Sequence, residues 1–116
     1  MRINQIMEPL CRQAHREKGD TAWVCSDDYE ALCALDFLKR TKVAVPEKLS
    51  VVGFNNSLPA LTANLTSYDH NSEAIMAAML NYIVRPHSLG AFQRSKIIDF
   101  EGFVVSRGSA GRAPAG

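Results

Sequence analysis

Apolar positions change their spacing several times along the chain, and each change marks an element. Ile3, Ile6, Met7, Leu10 and Ala14 fall at helical intervals along one face. Pro9 lies inside that pattern, where it removes a backbone donor and crowds the preceding turn. The pattern therefore predicts either a helix that begins near Pro9 or a longer, kinked one, with Gly19-Asp20 closing it. Ala22 to Cys25 is a short apolar run of strand length. Ser26, Asp27 and Asp28 follow, and each can cap a helix through a side-chain oxygen. Ala31, Leu32, Leu35 and Leu38 then supply an apolar face, flanked by Cys33, Ala34 and Phe37. Val45-Pro46 is expected to stop that helix. Leu49 to Phe54 is a second apolar run, which ends in Asn55-Asn56. Strand, helix and strand joined by short turns make a βαβ unit with parallel strands, buried between covering helices.

Beyond Asn56 the pattern is shorter in range. Ser57 to Asn64 reads as a loop or one helical turn around Pro59, and Leu65 to Tyr68 as a brief strand. Asn71-Ser72-Glu73 opens a helix whose apolar positions are Ile75, Met76, Met79, Leu80 and Ile83, with Pro86 ending it. His87 to Ser95 reads as a polar connection, and Lys96–Phe100 and Phe103–Ser106 as two last strands. Arg107 to Gly116 has no large apolar residue and is expected to fray. The organisation expected is one domain over residues 1–111 and a disordered tail over 112–116.

Composition narrows the functional classes. With 13 basic and 12 acidic residues the net charge is +1, so bulk electrostatics gives no reason to expect nucleic-acid or membrane binding. Arg12, His15, Arg16 and Lys18 read better as the solvated end of a helix, where cations suit its dipole, than as a DNA-binding face. Three cysteines without metal-ligand spacing point to reduced thiols and a cytoplasmic setting. No apolar run approaches a membrane span, and the N-terminus has no signal-peptide core. The scattered Cys and His residues form no catalytic order, and the glycines no phosphate-binding pattern. No catalysis, cofactor or metal is expected.

Asp27-Asp28-Tyr29-Glu30-Ala31 and Val45-Pro46-Glu47-Lys48-Leu49-Ser50-Val51-Val52-Gly53-Phe54-Asn55-Asn56 resemble the effector-binding domain of LacI/GalR-type bacterial transcription regulators. Leu65-Thr66-Ser67 is similar to that family's L-T-T, and Arg107-Gly108-Ser109 to its closing R-x-S. The resemblance runs from about Asp20 to Gly111, the last third or so of a complete member. It implies an α/β fold: a parallel βαβ sheet forming part of a periplasmic-binding-protein-like (type I) lobe. It also implies a regulator that binds a small effector, a sugar or nucleobase derivative, as a homodimer. Exchange of the third helix and final strands between chains is a further option, and DNA is contacted only through a helix-turn-helix that this chain lacks. The alternatives are an interaction module without ligand and an exported sugar receptor of the same architecture, against which the missing signal peptide weighs.

The site follows from placement. Open α/β sheets bind ligands outside the carboxyl ends of their strands. Asp27 and Asp28 lie just past the first strand, where a carboxylate can accept from two hydroxyls of a polyol. By the resemblance Asp28 takes the position of the family's effector-contacting Asp, while Asp27 reads equally as a helix cap. Asn55-Asn56 stands where the family carries acids and reads as a turn. Asp69-His70-Asn71 falls at the family's hinge, which puts His70 and Ser72 beside the cleft. The predicted ligand residues are thus Asp27, Asp28, His70 and Ser72. Ser72 replaces a position often aromatic in sugar-binding members.

Overall fold

A computed structural model describes residues 3–85 and 97–115. Among these, helices α1 (Ile3–Arg16), α2 (Asp28–Arg40), α3 (Leu58–Thr62) and α4 (Ser72–Val84) alternate with strands β1 (Ala22–Val24), β2 (Ser50–Phe54), β3 (Thr66–Asp69) and β4 (Phe103–Val105). The sheet runs in the order β1-β2-β3-β4. Its first three strands are parallel, with Trp23 beside Val51 and Gly53 beside Ser67. β4 returns antiparallel, with Val104 beside Tyr68. The βαβ unit read from the sequence is therefore present, in an α/β lobe.

Helix α2 forms the centre of the packing. Asp27 caps it, and its buried residues are Asp28, Ala31, Ala34, Phe37 and Leu38. The buried stripe is thus Ala31, Ala34 and Leu38, with Leu32 and Leu35 only half-buried on its flank. Leu38, Val51 and Leu65 lose all exposure in the core that Cys11, Leu49 and Ala60 complete. Burying one such side chain contributes roughly 1.5–3 kcal/mol. α2 ends before Val45-Pro46. Lys42 takes a left-handed φ of 59°, its N–H reaches Lys39 O, and the Val43 N–H reaches Leu38 O. That closure satisfies the last carbonyls with a lysine where glycine is usual.

Helix α1 is the longer of the two options, with Pro9 inside it. It lies along α2, tied by Arg40 to Glu8 at 3.0 Å and by Cys33 Sγ to Asn4 Oδ1 at 2.7 Å. The basic residues near its end stay exposed or engage neighbours: Arg12 bonds Glu8, and His15 meets the Phe37 ring edge-on. Burial pushes all three thiols up, Cys25 to about 11.

Three sequence expectations need correction. β1 is not buried: it is an edge strand, and Val24 is 70% exposed. Residues 97–100 form no strand, and Ile97 and Ile98 are exposed there; Lys96, Pro86 and the connection 87–95 lie outside the described residues. Arg107–Gly111 does not fray. Ser109 donates to Val51 O at 2.6 Å and accepts from Thr66 N at 2.8 Å, and Gly111 N reaches Ser50 Oγ at 3.1 Å. Side-chain-to-backbone bonds hold this strap across the sheet, so it needs no large apolar residue. Residues 112–115 are exposed and without regular structure.

α4 differs from every other long helix here: none of its residues is buried. It projects from the sheet, and the radius of gyration of 18.5 Å exceeds the roughly 13 Å of a compact chain of this length. Among the described residues no helix is long and apolar enough to cross a membrane.

Candidate functional site

The three parallel strands end on one edge of the sheet, and each delivers polar residues there. β1 leads to Ser26 and Asp27. Asp27 accepts from Tyr29 N at 2.6 Å as the cap of α2, and its other oxygen accepts from Asn55 Nδ2 at 3.0 Å. Glu30 closes the same corner by accepting from the backbone N–H and hydroxyl of Ser26. β2 leads to Asn55 and Asn56, both left-handed at φ 101° and 47°. Asn tolerates that region better than most residues, so the turn reading holds. The turn is also held by side chains, which that reading did not include.

Beneath the edge sits Asp28, 1% exposed. One oxygen accepts from Ser57 N at 2.7 Å and the other from Ser67 Oγ at 2.6 Å. Ser67 Oγ in turn accepts from Asn56 N at 2.9 Å. Room for this carboxylate exists because residue 53 is glycine: a Cβ there would overlap Asp28 Oδ1. Asp28 therefore organises the turn from below, with both oxygens engaged.

β3 leads to Asp69, His70 and Asn71. Asp69 accepts from Asn56 Nδ2 at 2.9 Å and from Asn71 N at 2.7 Å. Those bonds, the Asn56 one foremost, hold its carboxyl below its ordinary range. His70 is exposed, its ring stacked on Phe54 at 6.0 Å and edge-on to Tyr68 at 5.2 Å. Ser72 is exposed at the first position of α4. Arg107 donates to Leu65 O at 2.7 Å and to Asn56 Oδ1, which fixes the orientation of the Asn56 amide.

Of the predicted residues, Asp27 lies on the edge, His70 and Ser72 lie along its β3 side, and Asp28 lies below. Sequence reasoning passed over Asn56, Asp69 and Arg107 as ligand-edge residues. Their signal was available as polar side chains just after β2 and at the last position of β3, and as the arginine of the R-x-S motif. Among the described residues no group of three or more His, Cys, Asp or Glu side chains could hold a metal. The arrangement offers hydrogen-bond acceptors and donors at strand ends beside aromatic rings, a combination suited to binding a polar ring.

The fold is an α/β lobe with polar side chains gathered at the ends of its parallel strands. Residues 2–109 match the periplasmic binding protein-like domain, and the chain belongs to that family. Its solved neighbours include LacI-type regulators, in line with the sequence motifs. A LacI transcriptional regulator from a Rhodococcus species superimposes with a TM-score of 0.71 at 22% identity, covering 97% of this chain and 42% of that one. A LacI-family regulatory protein from Corynebacterium glutamicum gives 0.70 at 25% identity, covering 97% and 44%. A sugar-binding LacI-family regulator from Escherichia coli, complexed with phosphate, gives 0.67 at 24% identity, covering 85% and 36%. The chain thus spans well under half the length of these relatives. No curated protein sequence matches it.

Proposed function

We propose that this chain is the part of a LacI-like transcription regulator that binds a small effector and forms the dimer, with no chemistry of its own. The observation that carries the reading is the polar edge at the ends of three parallel strands, where Asp27–Asn55 and Asn56–Asp69 pairs stand beside the exposed His70 ring. A sugar is the ligand class favoured, since acceptor pairs suit adjacent hydroxyls and a ring face suits a pyranose. The Escherichia coli neighbour is described as sugar-binding, which supports that choice. Asp27, His70 and Ser72 contact the ligand, and Asp28 acts from beneath. The setting is cytoplasmic, and operator contact belongs to a helix-turn-helix outside the residues described.

Effector binding acts by shifting a dimer between two states rather than by catalysis. Dimer formation is assigned to α4, whose Met76, Met79, Leu80 and Ile83 are all more than half exposed. That bare face also favours the second reading, an interaction module that takes no ligand.

NMR titration of the 15N-labelled chain with a panel of sugars and nucleosides separates the two. One wall of a cleft binds weakly, so saturable shifts at Asp27, Asn55 and His70 are expected at millimolar ligand, and Asp27→Ala should remove them. No saturable shift with any panel member would favour the interaction module.

A further inference from the structure

Two chain crossings meet at the β3 end of the edge. Asp69 to Asn71 leads out into α4, and residues 101–103 lead back into β4, with Asp69 beside Phe103. They run so close that a Cβ on Gly102 would overlap the Tyr68 hydroxyl and Asp69 O. Asn71 stands in the left-handed region at φ 61°, and its Nδ2 donates to Glu101 O at 3.1 Å. Asn71 also occupies the cap position of α4 without making a side-chain cap bond. Helix starts carry exposed N–H groups that need acceptors, and Asp69 supplies one: its Oδ1 accepts from Asn71 N at 2.7 Å. Its Oδ2 accepts from Asn56 Nδ2 at 2.9 Å. Asn56 cannot rotate its amide to serve otherwise, because Arg107 donates to its oxygen.

A single carboxylate therefore joins the ligand edge to the root of a helix that buries none of its residues. We propose that Asn56 is a positioning residue for α4: it holds Asp69 in the rotamer that accepts from the root of the helix, so an effector that draws Asn56 or Asp69 away loosens the direction of α4. The effector clause rests on the function proposed above. The mechanical link does not, and it is testable without ligand.

The test is residue-resolved amide hydrogen exchange and 15N relaxation on the free chain. Asn56→Gly suits it, since glycine keeps the positive φ and removes only the side chain. Asp69→Asn is the second variant, because the two donors use different carboxylate oxygens and an amide NH2 would replace one of them. Each should speed exchange at Asn71 about tenfold or more, as expected when a hydrogen bond to a charged group is lost. The relaxation of α4 should move with it, while the Val51 and Leu65 amides keep their rates. The double variant should add nothing further. Unchanged exchange at Asn71 in both single variants overturns the proposal, as does a parallel rise at Val51 and Leu65, which would mean general destabilisation. A failed ligand titration would leave these outcomes untouched, so the two readings fail separately.

Discussion

In the sheet body Leu38, Val51 and Leu65 have no exposure, whereas in α4 Leu80 is 61% and Ile83 71% exposed. Both regions carry the same kind of side chain. In the body, α2 lays one stripe of small and branched residues on β2, and polar groups that go under cover meet partners: Asp28 with Ser57 and Ser67, Ser109 with Val51 and Thr66. α4 is apolar nearly all round, the composition of a helix meant to be enclosed. The difference separates a body with a closed core from a helix whose apolar side chains stay exposed, which is why the dimer is proposed to form at α4. Relatives more than twice as long fit that division.

Substitutions in the body should break this contrast most strongly. Leu38→Ala should cost about 2–5 kcal/mol through lost burial and a cavity, whereas Leu80→Ala in α4, measured on dilute monomer, should stay within about 0.5 kcal/mol. Gly53→Ala should cost at least about 1–3 kcal/mol, because its methyl group meets Asp28 Oδ1 and the Cβ of Ala31. Urea denaturation checks all three. Ser67→Ala leaves one oxygen of a buried carboxylate without its donor and should cost about 1–3 kcal/mol. Lys42→Gly should instead stabilise by about 0.5–1 kcal/mol, relieving a left-handed lysine at the end of α2.

The weakest effect concerns the hinge. Asp69 is held below its ordinary range by Asn56, then Asn71, with His70 contributing the same sign. A depressed carboxyl stabilises above its unfolded value and loses that contribution as pH falls through the folded value. The Asn71 amide should therefore keep its shift down to about pH 4 and move only below that, the ordinary carboxylate range. Movement between pH 5 and 7 would contradict that assignment.

Much of the body was legible because its order is periodic. The βαβ unit, the cap at Asp27 and the short turn around Pro59 follow from apolar spacing and local backbone chemistry. The strap over Arg107–Gly111 was not, because its hold is polar and its partners lie more than forty residues away. Residues 97–100 misled in the opposite sense: their apolar run resembles a strand, but the segment takes no regular structure and Ile97 and Ile98 stay exposed. At the site, composition showed carboxylates at a strand end but could not show depth. Asp28 and Asp27 are adjacent in sequence, yet one turns under Gly53 and the other stays at the edge. The pairing of Asn56 with Asp69 and Arg107 joins three separated segments, which no local pattern reveals.

Sedimentation equilibrium across the micromolar range tests the central claim, a finished body carrying an open interface on α4. The account predicts a concentration-dependent species of twice 12.8 kDa, reduced to monomer by Met79→Glu with the body's urea transition unchanged. A folded chain that stays at 12.8 kDa throughout, with α4 helical and exposed, would contradict it.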